Sequence, residues 1–164
     1  KERTVIINSF SKSYAMTGWR IGYVAGPAEI VDRMTKCQEN FNACANAPGQ
    51  YAGTIALDHP ELCKELCRIF ARRRDILLNG LSMINGIHCN QPTGAFYAFA
   101  DISGFGLSSV DFCNRLLEEQ KVVCIPGSAF GECGEGFIRI AYTCSEEDLS
   151  EALRRIECFC KTLA

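Results

Sequence analysis

Apolar residues recur at two different periods along this chain, and the switching between them constrains the fold more than any other feature. Leu62, Leu66, Ile69, Phe70, Leu77 and Leu81 hold a helical spacing, which Cys63 joins, and Leu149, Leu153, Ile156, Phe159, Cys160 and Leu163 hold another. Short β-branched or aromatic runs lie elsewhere: RTVIIN at 3–8, RIGYVA at 20–25, GAFYAFADI at 94–102, KVVCI at 121–125 and FIRIAYT at 137–143. The run at 3–8 reads as a buried strand of the parallel-sheet kind, and the second ends at Gly26-Pro27. Such strands interspersed with helices predict an α/β protein.

The boundaries come from caps and breakers. From Pro27 the pattern is helical to about Asn40, with Ile30, Val31 and Met34 on one face. Residues 42–49 are small and turn-rich, and Gln50–Leu57 reads as a short helix. Asp58-His59-Pro60-Glu61 offers a capping aspartate, an early proline and a glutamate three residues on, so a long helix starts there and a domain boundary is expected near Asp58. That helix runs to Asn85-Gly86, and Arg72, Arg73 and Arg74 read as its solvated face. Ser108-Ser109-Val110-Asp111 caps a further helix with Cys113, Leu116 and Leu117 inward. Ser145-Glu146-Glu147-Asp148 caps the last one, whose acids lie early and whose Arg154, Arg155 and Lys161 lie late, as the helix dipole favours.

Composition removes several classes of function. The 164 residues are 48% hydrophobic and 22% charged, the balance of a soluble globular protein. A net charge of −2 leaves no electrostatic footprint for nucleic acid, and no apolar run is long enough to span a membrane. No basic-then-apolar leader opens the sequence, so secretion is not expected, and the start at Lys1 without a methionine reads as a cut. Eleven cysteines, an odd number with no C-x-x-C pair, predict reduced thiols in a cytoplasm rather than a disulfide framework or a zinc knuckle. Cys63 and Cys67, one turn apart, read as packing residues, as do Phe96, Tyr97 and Phe99; His59 and His88 lack ligand-like neighbours, and no metal is expected.

Chemistry concentrates in SFSKSYAMTGWRIG at 9–22. Lys12 lies in a loop between two strands, where α/β sheets place ligands, and a primary amine there can condense with an aldehyde. Arg20 can grip an anion in the bidentate way of a guanidinium, Ser9 and Ser11 offer hydroxyls of the sort phosphates attract, and Gly18 allows a tight approach. Together they suit a site for a phosphorylated aldehyde, but a lysine and an arginine eight residues apart are ordinarily surface charges, and the residues alone leave both readings open. Arg139 stands in the middle of an apolar strand, where a charge is costly unless it meets an anion.

The stretch 9–22 resembles the pyridoxal-phosphate lysine signature of class I aminotransferases over its whole length. Ser9, Ser11, Lys12, Arg20 and Gly22 all fit it. Pro92–Tyr97 resembles the segment that opens the small domain's sheet, Ile125–Gly131 the loop before the substrate arginine, and Phe137–Tyr142 the strand that carries that arginine. The resemblance implies an α/β fold in which 1–58 is the C-terminal end of the large cofactor-binding domain, a remnant of its sheet, and 59–164 is the small domain, an α/β sandwich. It implies pyridoxal 5'-phosphate held covalently by Lys12, its phosphate by Ser9 and Arg20, and the substrate α-carboxylate by Arg139. Lys12 would also carry the proton of the transfer, and amino-acid and 2-oxo-acid substrates would alternate in a ping-pong cycle.

Members of the family are more than twice as long and dimeric. By resemblance, the chain is therefore the C-terminal part of an aminotransferase. The ring-stacking aromatic, the aspartate at the pyridine nitrogen and a phosphate-binding helix N-terminus would all lie outside it. The part alone is expected to be inactive, with unpaired strand edges. Two alternatives are a lyase of the same fold, disfavoured by Met16-Thr17-Gly18-Trp19, and a non-catalytic interaction or dimerisation module.

Overall fold

The computed structural model describes residues 2–163. Two units divide the chain, Lys1–Arg68 and Ile69–Ala164.

In the first unit, β1 (Ile6–Ser9) pairs antiparallel with β2 (Gly22–Ala25), Ser9 opposite Gly22 and Ile6 opposite Ala25. The expected buried parallel-type strand at 3–8 is thus corrected. Its pairing begins only at Ile6, the pair is antiparallel, and Ile6 and Ile7 stay exposed, because a two-stranded ribbon has no second layer to bury them. The single-turn helix α1 (Phe10–Ser13), α2 (Ala28–Asn42) and α3 (Ala47–Asp58) complete the unit with the first turns of α4 (Pro60–Ser82). No residue of α2 is fully buried, so the stripe of Ile30, Val31 and Met34 forms without a closed core over it. The small core is Phe10, Ile21 and Ala56, with Tyr14 and Met16 against it.

α3 explains how that core closes. Asn46 caps it by accepting from the Gly49 N–H at 2.7 Å, and its buried face is Gly49, Gly53 and Ala56. A Cβ on Gly53 would stand 3.1 Å from the Phe10 ring, and one on Gly49 would stand 2.7 Å from Ile21 Cγ1, so small residues let the helix approach. Asp58 ends α3 rather than capping the next helix; Pro60 opens α4, as its missing N–H suits. α4 stops at Ser82, ahead of the expected Asn85-Gly86.

The second unit holds the main core. A four-stranded antiparallel sheet runs in the order β3 (His88–Cys89), β4 (Tyr97–Asp101), β6 (Phe137–Ala141), β5 (Ile125–Pro126). β4 and β6 alternate strictly. Ala98, Ala100, Ile138 and Ile140 are buried in a core that includes Leu77 and Leu81 of α4, Phe112 and Leu116 of α5 (Ser109–Gln120), and Ile156 and Phe159 of α6 (Glu146–Lys161). Tyr97, Phe99, Phe137 and Arg139 alternate with those core positions and point to the opposite face.

Ser108 and Ser145 cap α5 and α6 as expected, each accepting from the aspartate N–H three residues on. Leu117, expected inward, is exposed, and KVVCI is extended only at its end, because Lys121 closes α5 in the left-handed conformation. Of the three arginines assigned to a solvated face, only Arg72 lies fully out, paired with Glu146 at 2.9 Å. Arg73 lies over the Phe70 ring and donates to the Thr143 carbonyl, and Arg74 pairs with Asp75 from a half-buried position. The eleven cysteines are all free; Cys113, Cys124 and Cys160 are buried, whereas Cys67 is exposed and Cys63 half-exposed, so the packing role expected of that pair does not hold. No helix among the described residues is long and apolar enough to cross a membrane.

Candidate active site

The loop that carries Lys12 is pinned at both ends. The Phe10 N–H donates to the Ile21 carbonyl at 3.2 Å, and the buried side chains of the same two residues lock the loop onto α3. Gly22 is required opposite Ser9, since a Cβ there would fall 2.6 Å from the Asn8 carbonyl oxygen. Ser9 caps α1, its Oγ accepting from the Ser11 N–H at 3.1 Å. Lys12 is in that turn and is exposed rather than desolvated as the amine chemistry would want. Arg20 adopts a left-handed backbone (φ 56°) just ahead of β2, and its Nη1 donates to the Thr17 carbonyl at 3.0 Å. Ser9, Ser11, Lys12 and Arg20 therefore share one short, clamped loop.

Arg139 belongs to a different construction, inside the second unit. Its guanidinium carbon lies 4.4 Å from the Tyr97 ring centroid and 4.4 Å from that of Phe130, so aromatic faces cover it on both sides. It forms no ion pair with a carboxylate among the described residues. A guanidinium stacked on its faces keeps its donors at the edge, in the plane where a carboxylate binds bidentately. Phe130 meets Phe99 edge-on at 6.2 Å, and Phe99 stacks on Phe137 at 5.1 Å. Tyr97 and Phe99 thus serve the open face of the sheet rather than the core expected of them; the inward alanines of YAFAD carry that signal in the sequence.

The turn that presents Phe130 is held by a network with no signature in the sequence. Glu135 accepts from the Ser109 N–H at 2.7 Å and from the Ser109 hydroxyl at 2.8 Å, and Ser128 Oγ hydrogen-bonds Ser109 Oγ at 3.0 Å. Hydrogen bonds from the Ser109 backbone and side chain hold the Glu135 carboxyl below the usual range, and its charge faces the first turn of α5. Gly127 and Gly134 pass so closely that a Cβ on either would strike the other's carbonyl oxygen. Ser109 is fully buried, so Ser109→Ala leaves Ser128 and Glu135 short of a partner; a loss of about 1–3 kcal/mol of stability is expected in urea unfolding, and an unchanged midpoint would deny the network its role.

With this geometry in hand, comparison with known proteins is direct. The model of the family "Aminotransferase class I and II" matches residues 1–156. An aspartate aminotransferase of Rhizobium meliloti is 42% identical over the whole of this chain, and one of Pyrococcus horikoshii is 45% identical over 95% of it. The crystal structure of an aromatic aminotransferase from Pyrococcus horikoshii OT3 superposes with a TM-score of 0.90 at 40% identity, over 99% of this chain and 44% of that one. The chain spans 42% of the length of the Rhizobium relative and 41% of the Pyrococcus one, in keeping with the expectation of a part of a longer enzyme. A two-stranded ribbon that presents a lysine loop and an antiparallel sheet with a stacked arginine thus belong to a member of the class I and II aminotransferase family.

Proposed function

We propose that this chain is the C-terminal part of a pyridoxal-phosphate-dependent enzyme that moves an amino group from an L-amino acid to a 2-oxo acid. Its 1–58 segment belongs to the large domain and 59–164 forms the small one, within a cytoplasmic homodimer. The observation that carries the reading is the clamped connection from β1 to β2, which carries an amine, a guanidinium and two serine hydroxyls. That donor set fits a phosphorylated aldehyde: the amine matches the carbonyl carbon, and the cation and hydroxyls match a dianionic phosphate.

When bound, pyridoxal phosphate supplies the aldehyde that captures an amine and the ring that accepts electrons from the neighbouring C–H bond. Everything else falls to the chain's own side chains. Lys12 Nζ would be the attachment point, and its amine would carry the proton of the 1,3-shift, taking it from the substrate α-carbon and delivering it to the former aldehyde carbon. Ser9 and Arg20 hold the phosphate and so fix the depth at which Lys12 works. Arg139 binds the α-carboxylate by its open edge, while Tyr97 and Phe130 hold the guanidinium plane in one orientation and exclude water from its faces.

The test is covalent labelling of the purified chain with pyridoxal phosphate, borohydride reduction and mapping of the product by mass spectrometry. Label concentrated on Lys12 is expected, and it should fall about tenfold or more in Arg20→Ala, the loss of a charge-assisted contact. Label spread evenly over the other lysines, or insensitive to Arg20, would overturn the assignment.

A further inference from the structure

A cavity of about 310 Å³ opens within the second unit, between α6, the end of β6 and the segment that follows α5. Leu77, Ile140, Leu149 and Ile156, all buried, belong to its apolar wall. Ile140 lies on the core side of β6 and Arg139 on the open side, so the cavity is across the sheet from that arginine. Its volume stands at the low end of the range for small-molecule sites, and an apolar wall with a few polar groups at the mouth is their usual make-up.

Charge at the mouth decides what the cavity would hold. Lys121, Asp148, Glu151 and Arg155 line it from exposed or half-buried positions. Both carboxylates are already engaged. Asp148 accepts from the Ser145 hydroxyl at 3.0 Å and faces the first turn of α6, and Glu151 is shared by Arg154 at 2.7 Å and Arg155 at 2.8 Å. Lys121 meets no carboxylate among the described residues; its Nζ donates to the Glu118 carbonyl at 2.8 Å. Arg155 is held in place by a second bond, to the Gln120 carbonyl at 3.2 Å. Two arginines on one carboxylate, and a lysine on a neutral carbonyl, leave the mouth positive.

The complement of a positive mouth over an apolar wall is a carboxylate on a hydrocarbon body. A second charge on the ligand would be driven against Leu149 and Ile156, which is costly, and an amine in place of the carboxylate would be repelled by Lys121. We propose that this cavity binds a monocarboxylate with a short hydrocarbon body, its head on Lys121 and Arg155 and its chain against Ile140, Leu149 and Ile156. The site uses neither Lys12 nor Arg139.

The experiment is a titration of the methyl-labelled chain with hexanoate, followed by NMR. The Ile140, Leu149 and Ile156 methyl signals should move and saturate. Propionate, three CH₂ groups shorter, should bind about fiftyfold more weakly, roughly fourfold for each CH₂ no longer buried. Hexylamine, with the same body and the opposite charge, should not saturate these signals. Lys121→Gly removes a partner of the head and keeps the fold, because residue 121 stands at φ 58°, where glycine is unstrained. Hexanoate should weaken there about threefold to fivefold, the loss of one exposed ion pair. Ala152→Phe, which fills the cavity, should abolish the shifts, and Arg139→Ala should leave them unchanged. Shifts that never saturate, that propionate or hexylamine matches, that persist unweakened in Lys121→Gly and Ala152→Phe, or that vanish with Arg139, would overturn the proposal. So would shifts that follow protein concentration without hexanoate, which would make this face a contact between copies.

Discussion

Stability of the second unit should fall steeply as the pH is raised from 9 to 11. Burial pushes the Cys113 and Cys160 thiols up to about 11, and burial with Cys113 nearby pushes Cys124 up to about 12, against 9.0 for a free thiol. The folded pKa values are raised, so the folded state binds more protons than the unfolded chain between these values. The contribution is complete below pH 9 and is lost as the pH climbs toward 11 and 12. Each thiol contributes a slope of about 1.4 kcal/mol per pH unit, so three acting together reach about 4 kcal/mol per pH unit at most. Burial raises Tyr142 as well, which extends the loss above pH 10.

Urea midpoints by far-ultraviolet circular dichroism at pH 8, 9, 10 and 11 measure this directly, and Cys124→Ala should flatten the slope. A flat profile in wild type would mean that these thiols ionise inside the folded unit. The acid side runs the other way. Hydrogen bonds from Arg154 and Arg155 hold Glu151 down to about 2, and those from Ser109 lower Glu135. What they add is present above the ordinary value of 4.5 and is lost as the pH falls through their folded values.

What was legible in the sequence divides along physical lines. Helices with a full apolar stripe and a serine cap, α5 and α6, are local objects, and their starts at Ser108 and Ser145 stand where the caps say. The run at 3–8 was misread because β-branched composition reports extended backbone, whereas burial depends on layers from elsewhere in the sheet. Asp58 was misread for a related reason: a capping signal says nothing about whether the preceding helix has ended, and α3 runs through it.

Lys12, Arg20 and Ser9 could be singled out because the fourteen-residue stretch that holds them resembles one family signature, and that stretch is a local object between β1 and β2. The stacking of Arg139 between Tyr97 and Phe130 could not, since it needs a β4–β6 register and the turn at Gly127–Phe130 to converge. Glu135 and Ser109 were invisible in the same way. They lie 26 residues apart and meet only when β6 and α5 are both in place.

Phe112→Ala should be the most damaging of single truncations in the core, at about 3–5 kcal/mol. The ring is fully buried, packs edge-on against Phe159 at 5.1 Å and leans on Phe105 at 5.7 Å, so its removal opens a cavity between α5 and α6. The position matters as much as the volume. Phe112 lies one turn after Ser109, which ties α5 through Glu135 and Ser128 to the turn bearing Phe130. Loss of the ring therefore loosens the anchor of the aromatic cover on Arg139, and the unit should lose order at that turn before it unfolds. Leu117→Ala on the same helix is the control: its exposed side chain should move the urea midpoint by less than about 0.5 kcal/mol. Hydrogen exchange read at 127–131 separates the two effects. Faster exchange there in Phe112→Ala under native conditions, with Leu117→Ala unchanged, would tie the core to the arginine site; equal exchange in both would confine Phe112 to packing alone.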